Sequence, residues 1–202
     1  MLEKDTFKTI AQASDEVIYK EKGSKFIGYA YPIKNEDEVK VIIDALKSQH
    51  HKARHWCYAW QLGVESIQYR INDDGEPNNS AGQPIYGQIL SKNLTNILIV
   101  VVRYFGGTKL GVGGLVNAYK TAAQLAIDSS KIVSRTINTH FVLNFEYRYM
   151  NNVMRIIKEK KAIIVNQEMN LDCQFEISVR KKNSGEVRLA FEELRQIKIK
   201  EI

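Results

Sequence analysis

The apolar positions in the last third of the chain follow two periods. Apolar and polar residues alternate over 139–146 and 171–179, which predicts two half-buried strands, and apolar runs at 162–169 and 197–202 predict two more. Helical spacing predicts two helices between them, with buried positions at Met150, Val153, Met154, Ile157, Val187, Ala190, Phe191 and Leu194. The resulting order, βαββαβ, is that of the ferredoxin-like fold.

The first two thirds of the chain are less regular but predict a second sheet with its own helices. Residues 96–105 form a continuous apolar run rich in β-branched residues, as expected of a buried central strand. Asn35 and Glu38 have the spacing of a capping box ahead of a helix that ends near residue 49. The other predicted elements are strands on either side of Gly23, strands near 55–63 and 66–72, a short helix over 85–90, a helix from about 112 and a strand from about 131.

These patterns predict an α+β protein with two α/β-sandwich domains, residues 1–135 and 136–202, joined by a linker near 134–138. The composition, 44% hydrophobic and 26% charged, is that of a globular protein. No apolar run approaches the roughly 20 residues of a membrane span, and the first residues lack the apolar segment of a signal peptide. Cys57 and Cys173 have no CxxC spacing, so we expect a cytoplasmic protein with reduced thiols and no membrane partner.

The net charge of +6 is unevenly distributed along the chain. The 51 residues between Glu76 and Asp128 contain no carboxylate, while their cations are Lys92, Arg103, Lys109 and Lys120. A surface without anions favours an anionic partner. Burial of the same block in a core would also leave it without carboxylates, so both interpretations stay open.

A glycine-rich stretch lies inside this block. Five of the twelve glycines fall within 106–114, between a predicted strand and a predicted helix. Backbone N–H groups and helix N-termini bind anions in such a loop. The spacing excludes a P-loop, because Val112 and not a lysine follows Gly111, and it excludes GxGxxG, because Val116 stands at the third glycine position.

Basic residues accompany the glycines. Arg103 and Lys109 flank Gly106 and Gly107, so the loop either contacts a phosphate or packs a helix closely on the sheet. Residues 50–58 combine bases with aromatic rings, which fits phosphate pairing and base stacking. They lack the spacing of a zinc site, and we expect no metal and no cofactor. The candidates for nucleic-acid or anion contact are Lys22, Lys25, Lys52, Arg54, His55, Arg103, Gly106, Gly107 and Lys109, with Trp56 or Tyr104 for stacking.

A turn-rich loop places three carboxylates close together, namely Asp73, Asp74 and Glu76. Paired carboxylates can hold Mg²⁺ or act as acid and base, so these residues are the catalytic candidates. Asp-Gly and Asn-rich segments also occur for turn geometry alone. Whether the protein is an enzyme therefore stays open, and a non-enzymatic role is favoured.

Four segments in this order resemble the IMPACT family in its bacterial two-domain form: KGSKFIGYAYPI, ARHWCYAW, NDDGEPNNSAGQPI and VVRYFGGTKLGVGGLVNAY. The sequence departs from the family pattern at residues 78–80. The resemblance implies an N-terminal βαβ domain similar to a small-subunit ribosomal protein and to domain IV of elongation factor G. It implies a C-terminal domain similar to domain V of that factor. Eukaryotic relatives, which have an additional N-terminal domain, are regarded as translation regulators.

The charge pattern and the resemblance together predict a translation regulator that binds RNA or the ribosome through a basic, Gly-rich surface of its N-terminal domain. A rival interpretation is an enzyme that acts on a phosphorylated small molecule or a nucleic acid through Asp73, Asp74 and Glu76. A third is a module whose C-terminal sheet binds a protein partner.

Overall fold

The computed structural model describes residues 5–202. Its N-terminal part contains β1 (Thr6–Ile10), β2 (Val17–Glu21), β3 (Ser24–Pro32), α1 (Glu36–Gln49), β4 (His55–Leu62), β5 (Gln68–Asn72), α2 (Gly82–Ser91), β6 (Ile97–Tyr104), α3 (Gly111–Asp128) and β7 (Ile132–Thr136). The C-terminal part contains β8 (Asn138–Glu146), α4 (Met150–Glu159), β9 (Ile163–Glu168), β10 (Asp172–Arg180), α5 (Ser184–Glu192) and β11 (Lys198–Glu201). The chain divides into two compact units, Phe7–Arg135 and a unit of residues 136–202 that also includes residues 5 and 6. None of the helices within residues 5–202 is long and apolar enough to cross a membrane.

A five-stranded antiparallel sheet, in the order β2-β3-β6-β4-β5, is the centre of the unit Phe7–Arg135. Helices α2 and α3 pack on one face of this sheet, and α1 packs on the other. Strand β6 lies in the middle, and its residues from Ile97 to Arg103 are all buried. Burial on both faces explains why its sequence is a continuous apolar run instead of an alternating one.

Helix α1 begins where the sequence predicts it. The Asn35 side chain accepts a hydrogen bond from the backbone N–H of Glu38 at 3.0 Å. The Glu38 carboxylate accepts from the N–H of Lys34 at 3.0 Å, one residue before the position that a capping box uses. The buried stripe of α1 consists of Val39, Ile43 and Leu46, which pack on the α1 face of the sheet.

The C-terminal unit is a four-stranded antiparallel sheet in the order β11-β8-β10-β9, with helices α4 and α5. This is the strand order of a ferredoxin-like βαββαβ domain. The alternating residues of β8 and β10 are buried on one face, and the core is completed by residues such as Val153, Ile157, Val187 and Phe191. The predicted α+β class with two domains is confirmed.

Strands β1 and β7 form a separate two-stranded ribbon, and just beyond its end the N–H of Ala11 donates to the carbonyl of Lys131 at 2.9 Å. Strand β1 was not predicted from sequence. It was also wrong to assign residues 134–138 to a linker, because β7 extends to Thr136 and β8 begins at Asn138. Both errors have one cause: a five-residue strand shows little periodicity of its own, and its partner is at the other end of the unit in sequence.

Candidate functional site

The register of the five-stranded sheet brings the predicted basic residues to one end of it. Lys25 at the start of β3 pairs with Tyr104 at the end of β6, and His55 at the start of β4 pairs with Arg103. The turn before β3, the loop before β4 and the loop after β6 therefore meet at the same end. We call this region, residues 22–25, 50–55 and 103–111, the basic loop end.

Close backbone packing joins two of these loops. A Cβ atom added at Gly106 would fall well within 3.0 Å of backbone atoms of Gly23 and Ser24, a distance that real Cβ atoms do not reach. The N–H of Gly106 also donates to the Ser24 hydroxyl at 3.1 Å. Gly106 is thus explained by packing, one of the two alternatives that the sequence left open.

Glycine occupies the other positions of this stretch for different reasons. Gly107 and Gly111 have φ angles of +89° and +71°, so they occupy the left-handed region that disfavours other residues. Gly113 is helical, and a Cβ added there meets no atom within 4 Å. Neither packing nor backbone conformation requires glycine at 113, and the absence of a side chain leaves open space over the first turn of α3.

Five cations surround this loop with exposed side chains, namely Lys22, Lys25, Lys52, Arg54 and Lys109. Within residues 5–202 none of them is ion-paired to a carboxylate. His55 is half-buried, and its Nδ1–H donates to the carbonyl of Asp74 at 2.9 Å. The basic loop end therefore presents unneutralised positive charge, to which His55 adds structural support.

Arg103 differs from these five cations because it is buried. Only 5% of its surface is exposed, and its Nη1 donates to Glu76 Oε1 at 2.6 Å. Its guanidinium lies over the rings of Phe26 and Phe105, at 5.4 and 5.6 Å from their centroids. Its Nε has no hydrogen-bond partner in residues 5–202. Arg103 thus forms a buried ion pair beneath the loop.

Glu76 is held by more than this ion pair. The Tyr119 hydroxyl of α3 donates to the same Oε1 at 2.7 Å. Burial raises the pKa of Tyr119 far above its usual range, so the hydroxyl remains a donor. The Cys57 sulfur lies 3.3 Å from that hydroxyl, and burial likewise raises the pKa of the thiol well above its ordinary value. This network was not predicted from sequence, since its members come from four separate parts of the chain.

A cavity of about 410 Å³ lies between the glycine loop and this ion pair. Its polar lining consists of Glu76, Arg103 and Lys109, and its apolar lining of Pro77, Phe105, Leu110, Val112 and Leu115, with Gly111 at its edge. Phe105 is 52% exposed and is the most accessible aromatic ring of the loop. Trp56 and Tyr104 were the stacking candidates from sequence, and Phe105 was not among them, although a phenylalanine beside two glycines is a visible signal.

The other two carboxylate candidates hold backbone groups. Asp73 accepts hydrogen bonds from the N–H groups of Ala81 and Gly82 at the start of α2, and from that of Asn79, at 2.8–2.9 Å. Asp74 Oδ2 accepts from the N–H of Trp56 at 2.7 Å. Neither lines the cavity. Their carboxylates fix the loop to α2 and β4, which is the turn-geometry interpretation.

A second buried network of hydrogen-bonded side chains connects Tyr29, His50 and Tyr104 at the basic loop end. His50 Nε2 lies 2.7 Å from the Tyr29 hydroxyl, and its Nδ1 lies 3.0 Å from the hydroxyl of Tyr104. Tyr29 in turn donates to Glu16, so its oxygen is free to accept from Nε2–H. Burial lowers the pKa of His50, which keeps the ring neutral. This network holds Tyr104 in position.

Within residues 5–202 no group of three or more His, Cys, Asp and Glu side chains is arranged to hold a metal ion. The three histidines before and at the start of β4 have different environments. His50 is buried, His51 is exposed, and His55 donates a hydrogen bond to the backbone carbonyl of Asp74.

The chain is similar to known proteins in sequence and in structure. Residues 22–127 match the family described as the Impact N-terminal domain. YigZ of Escherichia coli (strain K12), an IMPACT family member, is 32% identical over 161 residues, which cover 79% of each chain. A crystal structure of a hypothetical protein aligns with 97% of both chains at 26% identity and a TM-score of 0.76. The two-domain translational regulator Yih1 matches 59% of this chain and 46% of its own at 26% identity, with a TM-score of 0.38.

The fold and the site define a two-domain α+β protein with a basic, glycine-containing surface on its N-terminal unit. The chain belongs to the IMPACT family, as the four sequence segments indicated.

Proposed function

We propose that the protein is a cytoplasmic, non-enzymatic regulator of translation whose N-terminal unit binds RNA, free or within the ribosome, through the basic loop end. The observation that carries this proposal is the convergence of five unpaired, exposed cations from three segments of the chain at one end of one sheet. The role in translation is the role of Yih1 and is proposed for this chain on the family relationship.

The charge arrangement supports a polyanion more than a single small anion. Lys22 lies in the turn before β3 and Lys25 at the start of β3, Lys52 and Arg54 lie in the loop before β4, and Lys109 lies in the loop after β6, so successive phosphates of a backbone can be contacted together. Each cation that neutralises a phosphate of a single strand contributes about −0.7 to the slope of log K against log salt. Five contacts would give a slope of roughly −3.5.

Aromatic side chains complete the surface. Phe105 is exposed and Tyr104 is half-buried at the end of β6, next to the cations. Single-stranded RNA is recognised through such rings, because unpaired bases stack on them. The enzymatic alternative is less favoured, because Asp73 and Asp74 are held by backbone donors and Glu76 by Arg103.

The test is RNA binding as a function of salt. We expect a labelled single-stranded RNA of about ten nucleotides to bind at 50 mM salt with affinity that falls steeply as salt rises. The double variant Lys25→Ala/Lys109→Ala should bind several-fold more weakly and reduce the salt slope by about 1.4.

The matched control is Lys34→Ala/Lys158→Ala. Both of these lysines are exposed; Lys34 follows the opposite end of β3, and Lys158 lies on α4. The control loses the same net charge and should retain the slope of the native protein. An equal loss in both double variants, or no RNA binding at 50 mM salt, contradicts the proposal.

A further inference from the structure

The cavity beside the glycine loop combines an apolar wall with groups that can bind an anion, namely Lys109 and the start of α3 at Gly111. Phe105, Leu110, Val112 and Leu115 supply the apolar wall, which a bare phosphate would not require. At about 410 Å³, the cavity is within the range of about 300–1,000 Å³ that is usual for small-molecule sites. A planar ring of moderate size fits this lining better than an inorganic ion.

The buried ion pair leaves hydrogen-bonding groups for such a ring. Glu76 Oε1 takes both the Arg103 Nη1 and the Tyr119 hydroxyl, whereas Glu76 Oε2 accepts from no group in residues 5–202. Arg103 Nη2 donates to no group in residues 5–202. Glu76 and Arg103 both line the cavity, so it has an unused carboxylate acceptor and an unused Nη2 donor, and every nucleobase carries both kinds of group on its edge.

The opening of the cavity suits the phosphate that a base carries with it. Lys109 and Gly111 line the cavity, and Gly113 leaves the first turn of α3 open. Helix α3 has no acidic residue in its first turn and no side-chain cap, so its first N–H groups are available to an anion.

We infer that this cavity binds one unpaired nucleotide, with the base against Phe105 and the Glu76–Arg103 pair and the phosphate at Lys109 and the first turn of α3. The inference rests on the proposed RNA binding and deepens it: the cations hold the backbone, while the cavity holds one base taken out of the strand. The same chemistry is present in a free nucleoside monophosphate, and the experiment separates the two sources.

The experiment compares two labelled probes of equal charge by fluorescence anisotropy at 50 mM salt: an oligoadenylate of eight nucleotides and an abasic ribose-phosphate chain of the same length. The native protein should bind the oligoadenylate at least about fivefold more tightly. Val112→Trp should place a large ring at the cavity opening, since Val112 lines the cavity and is 56% exposed. This variant should bind both probes with the affinity that the native protein has for the abasic chain.

Val41→Trp is the control, because Val41 is 69% exposed on α1 and does not line the cavity. It should keep the native preference. Equal binding of both probes by the native protein overturns the inference and leaves RNA binding intact. A preference that survives in Val112→Trp also overturns it, since the base would then stack elsewhere.

Adenosine monophosphate is the competitor in a further displacement measurement. Displacement of the oligoadenylate by the free nucleotide at equal nucleotide concentration identifies the free nucleotide as the ligand, and failure to displace identifies the strand. If neither labelled probe binds, the proposed RNA function fails by itself. In that case the methyl resonances of Val112 in the NMR spectrum should still shift when adenosine monophosphate is added. Unshifted resonances overturn the cavity inference as well.

Discussion

Two glycines of the glycine-rich stretch, Gly106 in the loop and Gly113 in α3, should respond in opposite directions to the same substitution. Gly106→Ala places a Cβ atom into the backbone of Gly23 and Ser24, where no flexible side chain can yield. Gly113→Ala places the same atom into open space on a helix. The chemical change is identical, so the difference isolates the environment of each position.

The environments of the two glycines determine how much each substitution changes the free energy of unfolding. Overpacking at Gly106, together with the loss of its hydrogen bond to Ser24, should lower the free energy of unfolding by about 2–4 kcal/mol. Alanine is favoured over glycine in a helix by up to about 1 kcal/mol, and Gly113→Ala should gain part of it. The same substitution covers the first turn of α3 with a methyl group, so RNA affinity should fall although stability rises.

Urea denaturation followed by tryptophan fluorescence measures these changes. Both tryptophans, Trp56 and Trp60, lie on β4, so the signal reports the unit Phe7–Arg135 alone. A Gly106→Ala protein as stable as the native one would refute the packing reasoning. A destabilised Gly113→Ala protein would refute the assignment of open space, and unchanged RNA binding would remove any role for this turn.

Three other measurements test the buried polar groups. Glu76→Gln leaves Arg103 buried without its counter-charge, so urea denaturation should show a loss of about 3–5 kcal/mol, partly recovered in Glu76→Leu/Arg103→Met. The folded state holds the pKa of His50 below 6.5, so stability should be complete above pH 6.5 and decline as pH falls below it, and His50→Gln should flatten that decline. Because burial raises the pKa of Cys57, iodoacetamide should modify it only in urea; rapid labelling at pH 8 without urea would contradict this.

The elements that could be predicted from sequence are those with a strong local pattern. Strand β6 was evident from its apolar run, and β8 and β10 from their alternation, because burial on two faces or on one leaves different periods. Strand β1 was missed because its five residues acquire their conformation by pairing with β7. Strand β7 was predicted only from its start near residue 131, and its pairing with β1 left no signal in the sequence.

The site was predictable in its residue types but not in its connections. Charge and glycine content identified Lys25, Arg54 and Lys109, since exposed cations near glycines are visible in any sequence. The pairing of Glu76 with Arg103 was not visible, because the two residues are 27 positions apart and Glu76 lies in a loop that is held in place by hydrogen bonds to β4 and α2. Arg103 consequently belongs to the buried support of the surface, whereas the sequence suggested an exposed contact.

The ribbon of β1 and β7 has a consequence for how this unit can be rearranged. Because Ala11 is hydrogen-bonded to Lys131, the chain enters and leaves the unit Phe7–Arg135 at neighbouring points. A unit with adjacent ends can be inserted into a loop of another protein, or its ends can be joined and new ones opened at an exposed turn such as residues 65–67. The N-terminal unit is thus suited to circular permutation, with the basic loop end left intact.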